Sequence, residues 1–276
     1  MKRCRKIKYA YLAVMLVLLY LPIVLVVFYS FNESKISSVW GGFSLKWYEI
    51  LFRDKAMFEA LRNSIVLALS SGVLAAVIGT LAAVGFTKLK PRSKGVVEYI
   101  SMIPIMIPEI ILGMVFMTYF AMLGLRFGML TLILAHTAFC IPYNYMTVKA
   151  RLVGMDKSLG EAARDLGASE VRVFFDITLP LLTPAILSGT LLSFAMSFDD
   201  VIISLFVTGV NVNTLPIKIY TQMKTGVTPE INALCTLMLG ATLLLVFLSS
   251  LLNRSSAAKG GSAAVKAKQK GQNAIE

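Results

Sequence analysis

The sequence predicts an all-α integral membrane protein with six transmembrane helices. Its 276 residues are 57% hydrophobic and the mean hydropathy is +0.75, whereas soluble domains carry about 45 to 50% apolar residues. Six stretches are uncharged or nearly so, and each reaches the roughly 17 to 25 residues that a bilayer-spanning helix needs. The basic residues lie between these stretches in an alternating pattern, which gives a third, independent sign of a multi-pass membrane protein.

A single membrane domain at residues 9–252 holds all the predicted spans. We expect them at about 9–31, 64–87, 100–125, 127–148, 181–207 and 231–252. The first span follows a basic tail at residues 1–8 and is too long for a signal peptide, whose apolar region has about 7 to 15 residues. It is therefore predicted to be retained as an anchor.

The distribution of Lys and Arg predicts the orientation of the chain. The N-terminal tail, the loops after spans two and four, and the C-terminal tail hold 19 of the 27 basic residues, and the other side holds 8. By the positive-inside rule, both termini and the loop at 149–180 are predicted to be cytoplasmic. The formal charge of +12 is then a topology signal, and we expect no nucleic acid as a partner.

Small residues and prolines shape the middle of the chain. Span two contains glycines and alanines at helical spacing, which predicts close packing inside a bundle. Pro108 predicts a kink or restart of span three, with Pro108 at the first helical position and Glu109 in the first turn. Glu109 either complements the helix dipole there or lines a path through the membrane.

The remaining chemistry-bearing residues are sparse. His136 is the only histidine and lies in span four, where a hydrogen-bonded packing role is favoured over metal ligation. The three cysteines have no ligand spacing, so we expect no metal site and no disulfide framework. The tail at 253–276 has almost no bulky apolar residues and is predicted to be a disordered cytoplasmic extension.

The loop at 149–180 predicts two short helices joined at a bend. Ser158 and Glu161 form a capping-box pattern that starts the first helix, and Gly167 permits a sharp turn. Ser169 is expected to cap a second helix that runs through Asp176. Such a loop either forms a docking knob for another protein or packs on its own bundle.

The same loop carries the motif E-A-A-x3-G-x9-I-x-L-P from Glu161 to Pro180. It resembles the loop by which the permease subunits of type I ABC importers grip their ATPase. The resemblance implies the type I permease fold and a role in ATPase coupling for Glu161, Ala162, Ala163, Gly167, Val173, Phe174, Phe175, Ile177, Leu179 and Pro180. The chain has no G-x-x-x-x-G-K-[ST] phosphate loop, so ATP and Mg are expected on a partner ATPase and no cofactor on this chain. We therefore predict a transport subunit and not an enzyme.

Span five carries a polar stripe of Ser193, Ser197, Asp200, Ser204 and Thr208, with Asp199 about 100° to its side. Each carboxylate at mid-membrane would oppose insertion by about 2.5 to 3.5 kcal/mol. A protein cation, a water-filled pathway or a transported cation could offset this cost, and we favour a pathway. Phe198 offers a cation–π surface beside it. The predicted substrate path is Asp199, Asp200, Phe198, Ser197, Ser204 and Glu109.

Three further runs, at 42–48, 197–201 and 215–220, resemble the second permease subunit of bacterial spermidine/putrescine importers. The resemblance covers about Tyr9 to Leu252. It implies polyamine transport across the bacterial inner membrane by alternating access, with lipid, a homologous second permease, an ATPase dimer and an extracytoplasmic solute-binding protein as partners. Importers for iron, phosphonates or opines share parts of these runs and remain alternatives. A cation channel or secondary carrier would account for the acidic stripe but not for the loop.

Overall fold

The computed structural model describes residues 2–36, 39–87, 91–156, 158–210, 212–226 and 228–244. Within these ranges the secondary structure is helical apart from one isolated β-bridge between Asn32 and Phe43. The predicted tail at 253–276 and the end of the last predicted span lie outside the described residues. The chain divides into two compact units, Met1–Asp54 with Thr225–Glu276, and Lys55–Lys224.

The first unit contains α1 (Lys2–Tyr29), α2 (Lys46–Arg53) and α12 (Pro229–Leu244). Most apolar side chains of α1 are exposed along Lys8–Tyr29, as expected for a helix in contact with lipid or another membrane protein. Asn32 organises the loop that follows. Its side chain donates to the Val39 carbonyl (2.8 Å) and accepts from the Gly41 N–H (2.8 Å), while its own carbonyl accepts from the Trp47 indole (2.7 Å).

The second unit contains most of the helices. They are α3 (Lys55–Thr87), α4 (Pro91–Met106), α5 (Glu109–Met122), α6 (Met129–Val153), α7 (Ser158–Asp165), α8 (Glu170–Arg172), a π-helical segment (Val173–Thr178), α9 (Leu179–Asp199), α10 (Ile202–Val207) and α11 (Leu215–Thr225). The helices α3, α6 and α9 pack against one another, and α10 packs against α5 and α6.

Close packing of α3 on α6 follows from the small residues of the second predicted span. A Cβ on Gly79 would lie 2.8 Å from the Asn144 Cβ and 2.9 Å from the Tyr145 amide nitrogen, so only glycine fits at this approach. On α9, a Cβ on Gly189 would lie 2.7 Å from the Asn144 side-chain oxygen. Residue 144 of α6 is thus held between glycines of two neighbouring helices, which confirms the predicted interior position of the second span.

The helices only partly match the predicted spans. By length and composition, Lys8–Tyr29, Lys55–Thr87 and Glu170–Asp199 could each cross a membrane, and the bent pair Gly95–Met106 and Glu109–Met122 could form a fourth crossing. The count of six therefore stays a prediction. The helix α6 covers the predicted fourth span but continues to Val153, beyond the expected boundary.

Three local predictions need correction or refinement. The third predicted span is not one helix but two, with 104° between them, and Pro108 is the N-cap of α5 instead of its first helical residue. The predicted kink and the position of Glu109 in the first turn are confirmed. The fifth predicted span is also interrupted, because α9 ends at Asp199 and α10 begins at Ile202.

The predicted second helix of the loop does not end at Asp176. It runs without a break from Glu170 to Asp199 and includes the π-helical segment. The physical reason is Pro180, which cannot donate a hydrogen bond and whose ring clashes with the carbonyl four residues earlier in an α-helix. The wider π-turn passes this point without ending the helix, and the Leu179 N–H bonds to the Phe174 carbonyl.

Candidate functional site

The interruption between α9 and α10, which we call the helix break, is built around Asp200. Its backbone leaves the helical region at φ −67° and ψ 126°. Its carboxylate accepts hydrogen bonds from the N–H groups of Ile203 (3.2 Å) and Ser204 (2.8 Å). Asp is among the best N-cap residues because its oxygen satisfies amides that have no partner in the first turn. Asp200 therefore ends one helix and starts the next.

His136 of α6 contacts both sides of the helix break. Its Nδ1 lies 2.7 Å from the Ser197 hydroxyl on α9, and its Nε2 lies 3.0 Å from the Ser204 hydroxyl on α10. The same Nε2 is 3.4 Å from an Asp200 carboxylate oxygen. Ser71 of α3 adds a hydrogen bond to Ser197 (3.0 Å). We call these five residues the His136 clasp, and all of them are buried.

The His136 clasp accounts for the carboxylate whose cost the sequence leaves open. Asp200 is only 9% exposed, and its two oxygens are met by backbone amides and by the imidazole. Charge-assisted bonds of this kind favour a buried carboxylate. The predicted hydrogen-bonded role of His136 is confirmed by these contacts.

Asp199 lies in a different environment although it is the neighbouring residue. It is the last residue of α9 and is exposed. Phe198 is half-buried and stacks on Phe194, with ring centroids 5.7 Å apart. Glu109 is exposed in the first turn of α5. The structure therefore brings Ser197, Asp200 and Ser204 together and leaves the other three predicted path residues outside the His136 clasp.

A second polar layer lies one helical turn from the His136 clasp. The Asn144 side chain of α6 donates to the Ser193 hydroxyl of α9 (2.5 Å), and the Ser193 hydroxyl lies 3.4 Å from the Cys140 carbonyl. The sequence identified Ser193 but missed Asn144 and the partner role of His136. A usable signal was present, because an ionisable residue in an apolar span needs a partner and His136 was the one imidazole available in the sequence.

The bent loop, residues 158–178, turns at Gly167. Its φ of +84° lies in the left-handed region, where glycine has no Cβ clash. The N–H groups of Gly167 and Ala168 bond back to the carbonyls of Arg164 (2.8 Å) and Ala163 (3.0 Å), which completes the end of α7. The predicted sharp break at Gly167 is confirmed.

The helix caps of the bent loop match the prediction at α8 but not at α7. Ser169 accepts from the Arg172 N–H (3.4 Å) and caps α8 as expected. At the start of α7, however, Asp156 accepts from the Ser158 N–H (2.9 Å), so the cap lies two residues before the predicted one. This hydrogen bond to the charged carboxylate lowers the pKa of Asp156 below its ordinary value.

The bent loop exposes most of its large apolar side chains. Leu166 is 90% exposed, and Leu159, Val171 and Phe175 are also exposed. The motif residues Glu161, Ala162 and Pro180 are exposed, while Ala163, Phe174, Ile177 and Leu179 are half-buried. Val173 alone is buried. Isolated exposed leucines are ordinary, but several on one short bent element indicate a contact surface.

A cleft of about 530 Å³ separates the bent loop from the ends of α3, α4 and α6. Lys149 of α6 forms an ion pair with Glu98 of α4 in its wall (2.8 Å) and lies over the Tyr145 ring at 5.6 Å. Arg164 and Glu170 form a second ion pair across the bend (2.5 Å). The first pair joins α4 to α6 on one side of the cleft, and the second joins α7 to α8 on the other side.

Comparison with known proteins gives the family. Residues 75–258 match the model of the binding-protein-dependent transport system inner membrane component. The spermidine/putrescine transport system permease protein PotC of Haemophilus influenzae is 42% identical over 247 residues, covering 90% of this chain and 96% of that protein. The putrescine transport system permease protein PotI of Escherichia coli K12 is 42% identical over 239 residues, covering 84% and 85%.

Solved structures agree at the level of the fold. A bacterial ABC transporter involved in the import of the acidic polysaccharide alginate aligns with a TM-score of 0.68 at 14% identity, over 92% of this chain and 96% of that one. The MetNI methionine ABC transporter aligns with a TM-score of 0.58 at 18% identity, over 71% and 94%. The chain therefore belongs to the family of inner membrane components of binding-protein-dependent transport systems.

Proposed function

We propose that this chain is a permease subunit of an ATP-driven importer that moves polyamines, spermidine or putrescine, across the inner membrane by alternating access. The role in ATP-driven transport is supported above all by the bent loop, whose exposed apolar residues surround the E-A-A-x3-G motif. The names of the two relatives above support the polyamine part. The exposed carboxylate of Asp199 suits a cationic solute.

The bent loop is proposed as the surface that docks on the ATPase. A short bent element with apolar side chains fits a groove on a partner better than an aqueous surface. The proposed docking residues in the bent loop are Glu161, Ala162, Ala163, Gly167, Val173, Phe174, Phe175 and Ile177, and Leu179 and Pro180 follow at the start of α9. Because α8, the π-helical segment and α9 form one continuous helix, motion of the docked loop would pass directly to α9.

The proposed arrangement has six spans at about the predicted positions and a basic tail at residues 1–8. Both termini and the bent loop face the cytoplasm, because the side with 19 of the 27 basic residues should be cytoplasmic. The proposed partners are an ATPase dimer that binds ATP and Mg, a homologous second permease, and an extracytoplasmic solute-binding protein.

The substrate path is proposed to run along the helix break. Asp199 and Phe198 would contact the cationic solute, and Glu109 would lie further along the same path. Asp200, Ser197 and Ser204 would form the wall that holds Asp199 in place, since their polar atoms are already bonded to His136 and to backbone amides.

Uptake by the reconstituted complex tests this proposal. The chain is purified with its second permease and ATPase, placed in liposomes that contain ATP, and supplied with solute-loaded binding protein. Radiolabelled spermidine and putrescine should accumulate inside, and a variant ATPase without its phosphate-loop lysine should give no accumulation. Accumulation of iron, a phosphonate or an opine without polyamine uptake would contradict the assignment of polyamines as the solute. Uptake that does not depend on ATP would favour a channel or carrier.

A further inference from the structure

We propose that His136 is a positioning residue of the transport path, because its single ring fixes the angle at the helix break and thereby places Asp199 and Phe198. This inference rests on the proposed function, in which the helix break lines the path. His136 itself is fully buried, so it would act through the residues it holds and not by touching the solute.

The ring is bonded to both helices that meet at the break. Nδ1 is 2.7 Å from Ser197, in the last turn of α9, and Nε2 is 3.0 Å from Ser204, in the first turn of α10. Each of the two ring nitrogens can take part in a hydrogen bond, which matches one hydroxyl on each side of the break. The ring therefore acts as a brace of fixed length between α9 and α10.

The break needs such a brace because α10 is short. It has six residues, Ile202–Val207, and a helix of this length is not stable by itself. Its orientation depends on its cap, on packing against α5 and α6, and on bonds to α6. Thr131 of α6 bonds to the Val207 carbonyl (2.8 Å) at the far end of α10, and His136 holds the end next to the break.

The residues that the brace places are the two between Ser197, its anchor on α9, and Asp200, the cap of α10. These two residues are Phe198 and Asp199. Asp199 is exposed while its neighbour Asp200 is buried. Rotation at the break would move the Asp199 carboxylate without unfolding either helix, and a shift of about 1 Å is enough to weaken a positioned contact.

The chain provides a matched control and a second test variant. Thr137 follows His136 on α6 and is also buried, but its hydroxyl has no hydrogen bond within the described residues. Thr137→Val keeps the shape of the side chain and should change nothing. Ser204→Ala removes the α10 side of the brace and leaves the ring intact.

The test measures ATP-driven uptake by the full complex in liposomes, with whichever solute the wild type accumulates. The measured quantities are KM for that solute and the maximal rate of uptake. Ser204→Ala should raise KM for the solute about fivefold, the effect of one lost hydrogen bond. His136→Ala, which removes the bonds to both Ser197 and Ser204, should raise it by at least as much, and both variants should show a smaller change in maximal rate. His136→Gln, which also offers a donor and an acceptor, should return KM to within about twofold of wild type. Thr137→Val should match wild type, and complex yield should be the same throughout.

Each other result counts against a defined part of the proposal. An unchanged KM in both His136→Ala and Ser204→Ala overturns the positioning role while uptake by the wild type upholds the proposed function. Loss of complex in His136→Gln as well as in His136→Ala shows a purely structural residue and also overturns it. No ATP-driven uptake of any solute by the wild-type complex overturns the proposed function, and the inference about His136 with it.

Discussion

The helix break and the bent loop both interrupt a helical path, but they treat their side chains in opposite ways. At the break, the polar groups of Asp200, Ser197 and Ser204 are buried and bonded within the chain. In the bent loop, the apolar side chains of Leu166 and Phe175 are exposed, and several such side chains on one short element indicate a contact surface. The polar groups of the break are bonded within the chain, whereas the apolar side chains of the loop are proposed to be buried against a partner. Substitutions at the break should therefore affect the chain itself, and substitutions in the loop should affect assembly.

The largest effect is expected from Asp200→Ala. It removes the cap of α10 and leaves the amides of Ile203 and Ser204 without their acceptor, at a cost of about 1 to 3 kcal/mol for each buried group. The melting temperature of the purified complex should fall clearly. Asp199→Asn is the matched control, because Asp199 is exposed; it should leave the melting temperature unchanged and lower uptake of cationic solute. Equal melting temperatures for the two variants would erase the proposed difference between the two aspartates.

This difference between neighbours shows what the sequence could predict. Gly167 and Ser169 act on residues within a few positions, so local turn and capping chemistry predicted the bend correctly. Pro108 likewise predicted the break between α4 and α5 correctly. His136 lies 61 residues from Ser197 and 68 from Ser204, and a distance of that kind is set by how α6 packs on α9. The hydrophobic period and the composition of the sequence contain no information about such a packing contact. The sequence therefore shows that Asp200 needs a partner but does not identify His136 as that partner.

The next effect concerns the bend itself. A residue at Gly167 must adopt a φ of +84°, which costs a β-branched side chain about 1 to 2 kcal/mol or more. Gly167→Val should therefore change the angle between α7 and α8 and reduce recovery of the ATPase with the permease about tenfold. Gly167→Asn adds a side chain of similar size that tolerates this conformation, and open space surrounds the position. Its recovery of ATPase should stay close to wild type.

The pair of Gly167 variants separates backbone conformation from contact. If both variants lose the ATPase equally, the surface at residue 167 matters and the bend does not. If both retain it, the bent loop is not the docking element, and the contrast with the helix break no longer points to a partner.

The smallest effect is expected at the π-helical segment, which connects the two regions along one helix. Pro180→Ala supplies the missing N–H and removes the clash with the Asp176 carbonyl, so the segment can relax to an α-helix. A π-turn contains one residue more than an α-turn. Relaxation to an α-helix would therefore shift the helical register by one residue and rotate the bent loop by about 100° relative to α9. The loop would keep its other docking side chains but present them at another angle. Stimulation of ATP hydrolysis by loaded binding protein should fall about two- to threefold, with the ATPase still bound.

Pro184→Ala is the control, because Pro184 lies within α9 and beyond the π-helical segment. Equal stimulation in the two variants would mean that the π-turn does not set the angle between the bent loop and α9, through which the loop and the helix break are coupled.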